Sequence, residues 1–204
     1  MENATFLPPA MLGALFSFLL VSSITPGPNN TMLLASGVNY GFRRTVPHIA
    51  GISIGCVIML LLVGLGLGQI FTAVPLLYDV LRFTGAAYLL WLAWKIANAG
   101  PMADRQAGGR PMTFLQAAAF QWANPKAWIL VIGAVSTYAP RDGFEHNVIL
   151  LAVLLGLVNA PSICVWAGCG TALRPFLSDP SRVRVFNVTM ALLLVVSLLP
   201  MLAS

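Results

Sequence analysis

Six apolar stretches, parted by short connectors that carry charge, Gly and Pro, make up this chain. They run Ala10 to Gly37, Ile49 to Phe71, Leu76 to Ile96, Thr113 to Tyr138, Val148 to Leu173 and Val183 to Leu202. Several reach the roughly 20 residues that an α-helix needs to cross a hydrocarbon core of about 30 Å. The pattern predicts an all-α polytopic membrane protein of six transmembrane helices. Two of the stretches are interrupted: the first by Thr25-Pro26-Gly27-Pro28-Asn29-Asn30, the fourth by Asn124-Pro125-Lys126. In hydrocarbon, freed backbone N–H and C=O groups are tolerated only where they are buried in protein or line a wet cavity. Broken first and fourth helices therefore predict a polar site where the breaks meet.

The longest connector, Asn98 to Pro111, divides one transmembrane domain (1–204) into pseudo-repeats 1–100 and 101–204. Three spans per half is an odd number, so the halves have opposite orientation, a plan common among transporters. The breaks occupy equivalent places, the first span of each half. Gly27 and Pro125 each lie about 11–12 residues from the cytoplasmic edge, roughly 17 Å at helical rise and near the midplane of the core.

Composition agrees: 58% of the 204 residues are hydrophobic and 8% charged, with a mean hydropathy of +0.86. A soluble domain of this length carries far more charge. The start, Met1-Glu2-Asn3, lacks the positive region of a secretory leader, and no small-x-small cleavage site follows, so residues 10–25 read as a retained span. The net charge of +5 points to orientation rather than to nucleic acid, because the basic residues lie in connectors. Arg43, Arg44, Lys95, Arg105, Arg110, Arg174, Arg182 and Arg184 stand on one side. Arg82 and Arg141, each near an acid (Asp79, Asp142), stand on the other. That bias places both termini outside and the basic connectors in the cytoplasm. Three cysteines, Cys56, Cys164 and Cys169, form no CxxC pair and suggest neither a disulfide framework nor a metal site.

Thr25 to Asn30 combines two residues without an N–H, a glycine with free dihedrals and two amides. A helix ending near Thr25 and restarting near Pro28 leaves unpaired carbonyls behind and N–H groups ahead. The partly positive restart suits a carboxylate. The plainer reading is a packed kink, since Pro is common in membrane helices, but a kink needs fewer polar residues. In Asn124-Pro125-Lys126, the lysine is the only ionisable residue placed well inside a span. An intramembrane charge costs about 2.5–3.5 kcal/mol even on insertion scales and marks a functional site by default. It suits an anion, a substrate carboxylate or a carbonyl cluster at the facing break; snorkelling is beyond its reach. Asn159-Ala160-Pro161 interrupts the fifth stretch, as a third polar wall or an ordinary kink. Gln116, Gln121 and Asn187 read first as interhelical hydrogen bonders. Gly51, Gly55, Gly64, Gly66 and Gly68 read as close packing, Trp91, Trp94 and Lys95 as an interfacial anchor, and His48 as interfacial.

All six acidic residues fall at or outside span ends, so the spans offer no carboxylate for proton coupling. No phosphate loop, paired acids or zinc spacing is present, which argues against an ATPase or hydrolase and against a cofactor.

With these residues in view, the chain resembles the LysE/RhtB family of bacterial amino-acid exporters. The resemblance is carried by Thr25 to Asn30, Gly41-Phe42-Arg43-Arg44, Gly51 with Gly55, Gly85 to Lys95, and Gln121 to Ala127. It covers essentially the whole length and is particularly marked toward the branch that exports cysteine and O-acetylserine. The resemblance implies a proton-driven inner-membrane exporter of small neutral amino acids or derivatives, such as cysteine, O-acetylserine, threonine or homoserine. Family signature positions map onto Pro26, Gly27, Pro28, Asn124, Pro125 and Lys126. Many relatives carry an aspartate where Cys56 stands, which counts against a strongly cationic substrate and against any coupling that uses that acid.

The expected substrate site is thus Thr25, Pro26, Gly27, Pro28, Asn29, Asn30, Asn124, Pro125, Lys126 and Asn159. Lys126 and the half-helix at Pro28 would receive the carboxylate, and carbonyls of Ser22 to Thr25 the ammonium. Expected partners are the amino-acid substrate, the lipid bilayer, a coupling proton and an optional second copy of the chain, without nucleic acid. The alternative is a transmembrane thiol–disulfide electron carrier using Cys56 and Cys164; a passive channel is a third reading.

Overall fold

A computed structural model of the protein describes residues 9–67, 75–98, 110–177 and 179–197. The described residues form eight α-helices and no strand: α1 (Pro9–Ile24), α2 (Pro28–Tyr40), α3 (Phe42–Leu62), α4 (Pro75–Ala97), α5 (Phe114–Phe120), α6 (Pro125–Tyr138), α7 (Phe144–Leu173) and α8 (Pro180–Val196). A π-helical turn, Val63–Leu67, extends α3; 3-10 turns follow α5 (Gln121–Ala123) and α7 (Arg174–Leu177). Phe71, Leu202 and residues 99–109, which the sequence placed at span ends and in the long connector, lie outside the described residues.

Local chemistry sets the helix starts. Proline, harmless where the N–H has no helical partner, opens α2, α6 and α8. Asp179 accepts from Ser181 N at 2.7 Å to cap α8. A reciprocal capping box between Thr113 and Gln116 opens α5. Gly41, at φ 81, is the single residue between α2 and α3. The expected first connector is therefore almost absent. Arg43 and Arg44 sit in the first turn of α3, which starts seven residues before the expected Ile49 and runs through Pro47.

Phe42–Gly66 and Phe144–Leu177 are long and apolar enough to cross a bilayer unbroken; α1 and α2 meet that test together, bent by 52° at their break. The expected interruption at Pro161 does not occur: α7 continues through it. His48, expected at the interface, is 2% exposed.

Small residues set the packing. A methyl group on Gly37 would overlap the carbonyl oxygen of Ala167, and one on Gly170 that of Leu34, so α2 and α7 touch backbone to backbone. Gly51 and Gly55 let α3 lie against α5, where a Cβ on Gly55 would come within 2.8 Å of Ala118 Cα. Close approach of this kind gives membrane helices the dispersion contact that holds them together when lipid is as apolar as they are. Gly66 differs: it faces open space at φ 103 and ends the π-helical turn's regular geometry.

Polar side chains are buried among apolar ones, while large apolar side chains face outward. Asn30, Asn39, Thr45, Ser53, Gln121, Asn124 and Asn159 are buried, whereas Ile129, Leu157 and Val185 are each 67% exposed. Leu15, Ile52, Met59, Val131, Leu151 and Leu155 form the main core between α1, α3, α6 and α7. A second cluster joins α4 and α8 to Met32 and Phe120.

Candidate functional site

The first break exposes the last carbonyls of α1. Thr25 N makes the final helical bond, to Val21 O at 3.1 Å. Beyond it, each freed carbonyl has an internal donor. Asn30 Nδ2 donates to Ser23 O at 2.8 Å and to Thr25 O at 2.7 Å. Trp166 Nε1, from α7, donates to Ile24 O at 3.0 Å. Lys126 Nζ reaches across from the second break and donates to Thr25 O at 2.6 Å, Thr25 Oγ1 at 2.8 Å and Pro26 O at 3.2 Å. Of the partners the sequence allowed for Lys126, the carbonyl cluster is the one it holds here. The carbonyls of Ser22 to Thr25, expected to await a substrate ammonium, are already engaged, that of Ser22 by Thr25 Oγ1 at 3.4 Å.

Gly27 makes room for this contact. Its φ of 174 is ordinary extended backbone, so dihedral freedom is not the reason for the glycine. A Cβ there would come within 2.7 Å of Lys126 Cδ.

The second break is built differently. Asn124 caps α6, its Oδ1 accepting from Lys126 N at 3.1 Å, and Pro125 follows at the first helical position. Gly27 offers α2 no side-chain cap. Of the two half-helix starts, α2 thus keeps its N–H groups and the positive end of its dipole available to an anion.

A reciprocal amide pair ties the breaks together. Asn29 Nδ2 donates to Gln121 Oε1 at 2.8 Å and Gln121 Nε2 donates to Asn29 Oδ1 at 3.2 Å. Gln121 is fully buried. It also donates to Ala117 O at 2.9 Å and accepts from Cys56 Sγ and Asn124 Nδ2, each at 3.4 Å. Sequence reasoning ranked Gln121 among the weaker candidates; its position three residues before Asn124 was the available signal. Asn159 does reach the junction as a third wall, donating to Ser23 Oγ and accepting from Ser53 Oγ, both at 3.2 Å.

Gly27, Asn29, Asn30, Asn124, Lys126 and Asn159 surround one cavity, with Cys56 on its wall, of about 30 Å³. Thr25 and Pro26 contribute through Lys126, while Pro28 and Pro125 act by starting helices. That volume is about one water's share of liquid, so no amino acid enters until the breaks part. Cys56 is the cysteine on the cavity wall, and Cys56, Cys164 and Cys169 are all free thiols.

Comparison with known proteins gives a consistent picture. The model of the LysE type translocator family matches residues 20–199. The cysteine/O-acetylserine efflux protein of Salmonella typhimurium (strain LT2) is 35% identical over 189 residues, covering 92% of this chain and 95% of that protein. Those of Salmonella typhi and Escherichia coli (strain K12) are 34% and 32% identical over the same shares. No solved structure matches the chain.

Proposed function

The chain belongs to the LysE type translocator family, a family of transporters rather than enzymes, and from that premise we propose that this amino-acid efflux transporter exports small neutral amino acids or their derivatives. Cysteine and O-acetylserine, named for its relatives, lead the candidate substrates, with threonine and homoserine behind them. The membrane is the bacterial inner membrane, crossed six times by two inverted three-helix halves with both termini outside, an orientation that the eight-to-two bias of basic residues supports. The proton gradient supplies the energy.

The observation that carries this reading is the cross-strapping of the breaks, Lys126 onto Thr25 and Pro26 and Gln121 onto Asn29. These bonds are polar, few and replaceable by a ligand of the same chemistry. An arriving zwitterion offers its ammonium to the carbonyls of Thr25 and Pro26, releasing the ammonium of Lys126 to its carboxylate. The open N-terminus of α2 completes the carboxylate's shell. Charge is conserved within the site during the exchange, so the substrate never leaves an unpaired lysine in low dielectric. Rocking of one half on the other then changes the side to which the junction opens.

Proteoliposomes loaded with radiolabelled neutral amino acids, with and without an imposed pH gradient, test this. Gradient-stimulated efflux of O-acetylserine or cysteine is expected; absence of flux for every neutral amino acid refutes it. A variant lacking all three cysteines is expected to keep its flux, an outcome that a thiol–disulfide electron carrier cannot give.

A further inference from the structure

A second and larger cavity, of about 220 Å³, lies between α2, α3, α4 and the residues that open α5. It holds about seven waters' share of volume, against one at the junction. Its floor carries Asn39 and His48, 6% and 2% exposed. Asn39 Oδ1 and both ring nitrogens of His48 have no hydrogen-bond partner among the described residues. Buried polar atoms are nearly always paired in folded proteins, so three orphans on two residues that line one cavity mark it as a place for a polar ligand. Lys95 and Arg110, both exposed, line the same cavity, and Lys95 Nζ stands 4.5 Å from the centroid of the Trp91 ring. Tyr88 supplies a further ring face. No Asp or Glu is among the described residues that line it.

We propose that this cavity is a loading site for the exported amino acid, separate from the junction of the breaks. The inference rests on the transport reading above. Cations at the rim receive the carboxylate, and Asn39 and His48, turned toward the cavity, receive the ammonium. The described lining residues, which include no acid, disfavour a second positive charge and favour a neutral side chain. Its place in the fold suits the role: Asn29 at the junction and Met32, Ser36 and Asn39 in the cavity are spaced 3, 4 and 3 residues apart, one face of α2. Asn29 and Asn39 are about 15 Å apart at helical rise. Under the orientation argued above, the cavity lies at the cytoplasmic ends of α2 and α4, where cargo must enter.

Equilibrium binding of radiolabelled O-acetyl-L-serine to the full chain in nanodiscs tests the site. Asn39→Leu and His48→Leu are each expected to lose about tenfold or more, as for a hydrogen bond to a charged ligand, whereas Thr189→Ala, on the exposed face of α8, is expected to bind as the wild type does. Both leucine variants bury no new polar atom and are expected to match the wild type in thermal stability, which separates lost binding from lost folding. Binding unchanged in both leucine variants overturns the proposal while leaving the transport reading standing. Failure of the wild type both to bind the probe and to move any neutral amino acid removes both. Nanodiscs of phosphatidylethanolamine and of phosphatidylcholine are expected to give equal binding; loss in the former assigns the cavity to a lipid headgroup and overturns the proposal.

Discussion

Replacing Lys126 by methionine keeps an unbranched apolar stem, one atom shorter, and deletes the charge, and the consequences for folding and for flux separate. The ammonium makes hydrogen bonds of 2.6 and 2.8 Å to Thr25 and a longer one of 3.2 Å to Pro26. Charged hydrogen bonds contribute about 1.5–3 kcal/mol each, so the two short ones amount to about 3–6 kcal/mol. Methionine also removes an intramembrane charge whose insertion costs about 2.5–3.5 kcal/mol. The difference is a net destabilisation of about 0–3 kcal/mol. Thr25 O keeps its bond from Asn30, which holds the first break in shape. Flux has no such compensation. If the ammonium receives the carboxylate in transit, losing about 3 kcal/mol there lowers efflux about a hundredfold. The assay is efflux from loaded proteoliposomes, with thermal unfolding measured on the same protein. Folded Lys126→Met with flux within about threefold of wild type refutes the assignment. Gly27→Ala makes a useful companion, because its backbone accepts alanine and its nearest new contacts are with the end of the Lys126 side chain; a partial loss of flux is expected.

Gln121→Leu removes the amide that pairs with Asn29 and leaves that group unsatisfied in the interior, so a loss of about 1–3 kcal/mol in stability together with impaired efflux is expected. Unchanged unfolding and flux in that variant would show that the strap between the breaks carries nothing. Gly170→Val drives a side chain into the carbonyl of Leu34, where neither backbone can yield cheaply. Overpacking of about 1–3 kcal/mol or more is expected from thermal unfolding; a wild-type melting temperature would mean that α2 and α7 do not pack as described.

Much of this molecule was legible in the chain because lipid imposes strict rules on composition. Apolar length marked the helices, and prolines beside asparagines marked both breaks, with α2 starting at Pro28 as expected, although α5 gives way to a 3-10 turn at Gln121, three residues before Asn124. Elsewhere local signals misled. Pro161 was read as an interruption, yet α7 runs on through it, since neighbouring helices can re-satisfy a backbone group that proline frees. His48 was read as interfacial from its place after two arginines, but the near-absence of a loop between α2 and α3 draws it inside. Gln121 reads from the sequence as an interhelical hydrogen bonder close to the second break, but its partner, Asn29, is set only by the fold.

The sequence by itself determined that the protein is helical and membrane-embedded, that its helices break at Thr25–Asn30 and Asn124–Lys126, and which family it resembles. Those properties follow from residue type and from neighbours a few positions away. The tertiary structure alone decided which donor fills which freed carbonyl. Lys126 meets Thr25 across 101 positions and Asn29 meets Gln121 across 92, and separations of that size leave no trace in a local pattern. Hydrogen bonds act over about 3 Å, so their partners are set only once glycine contacts have brought the helices together.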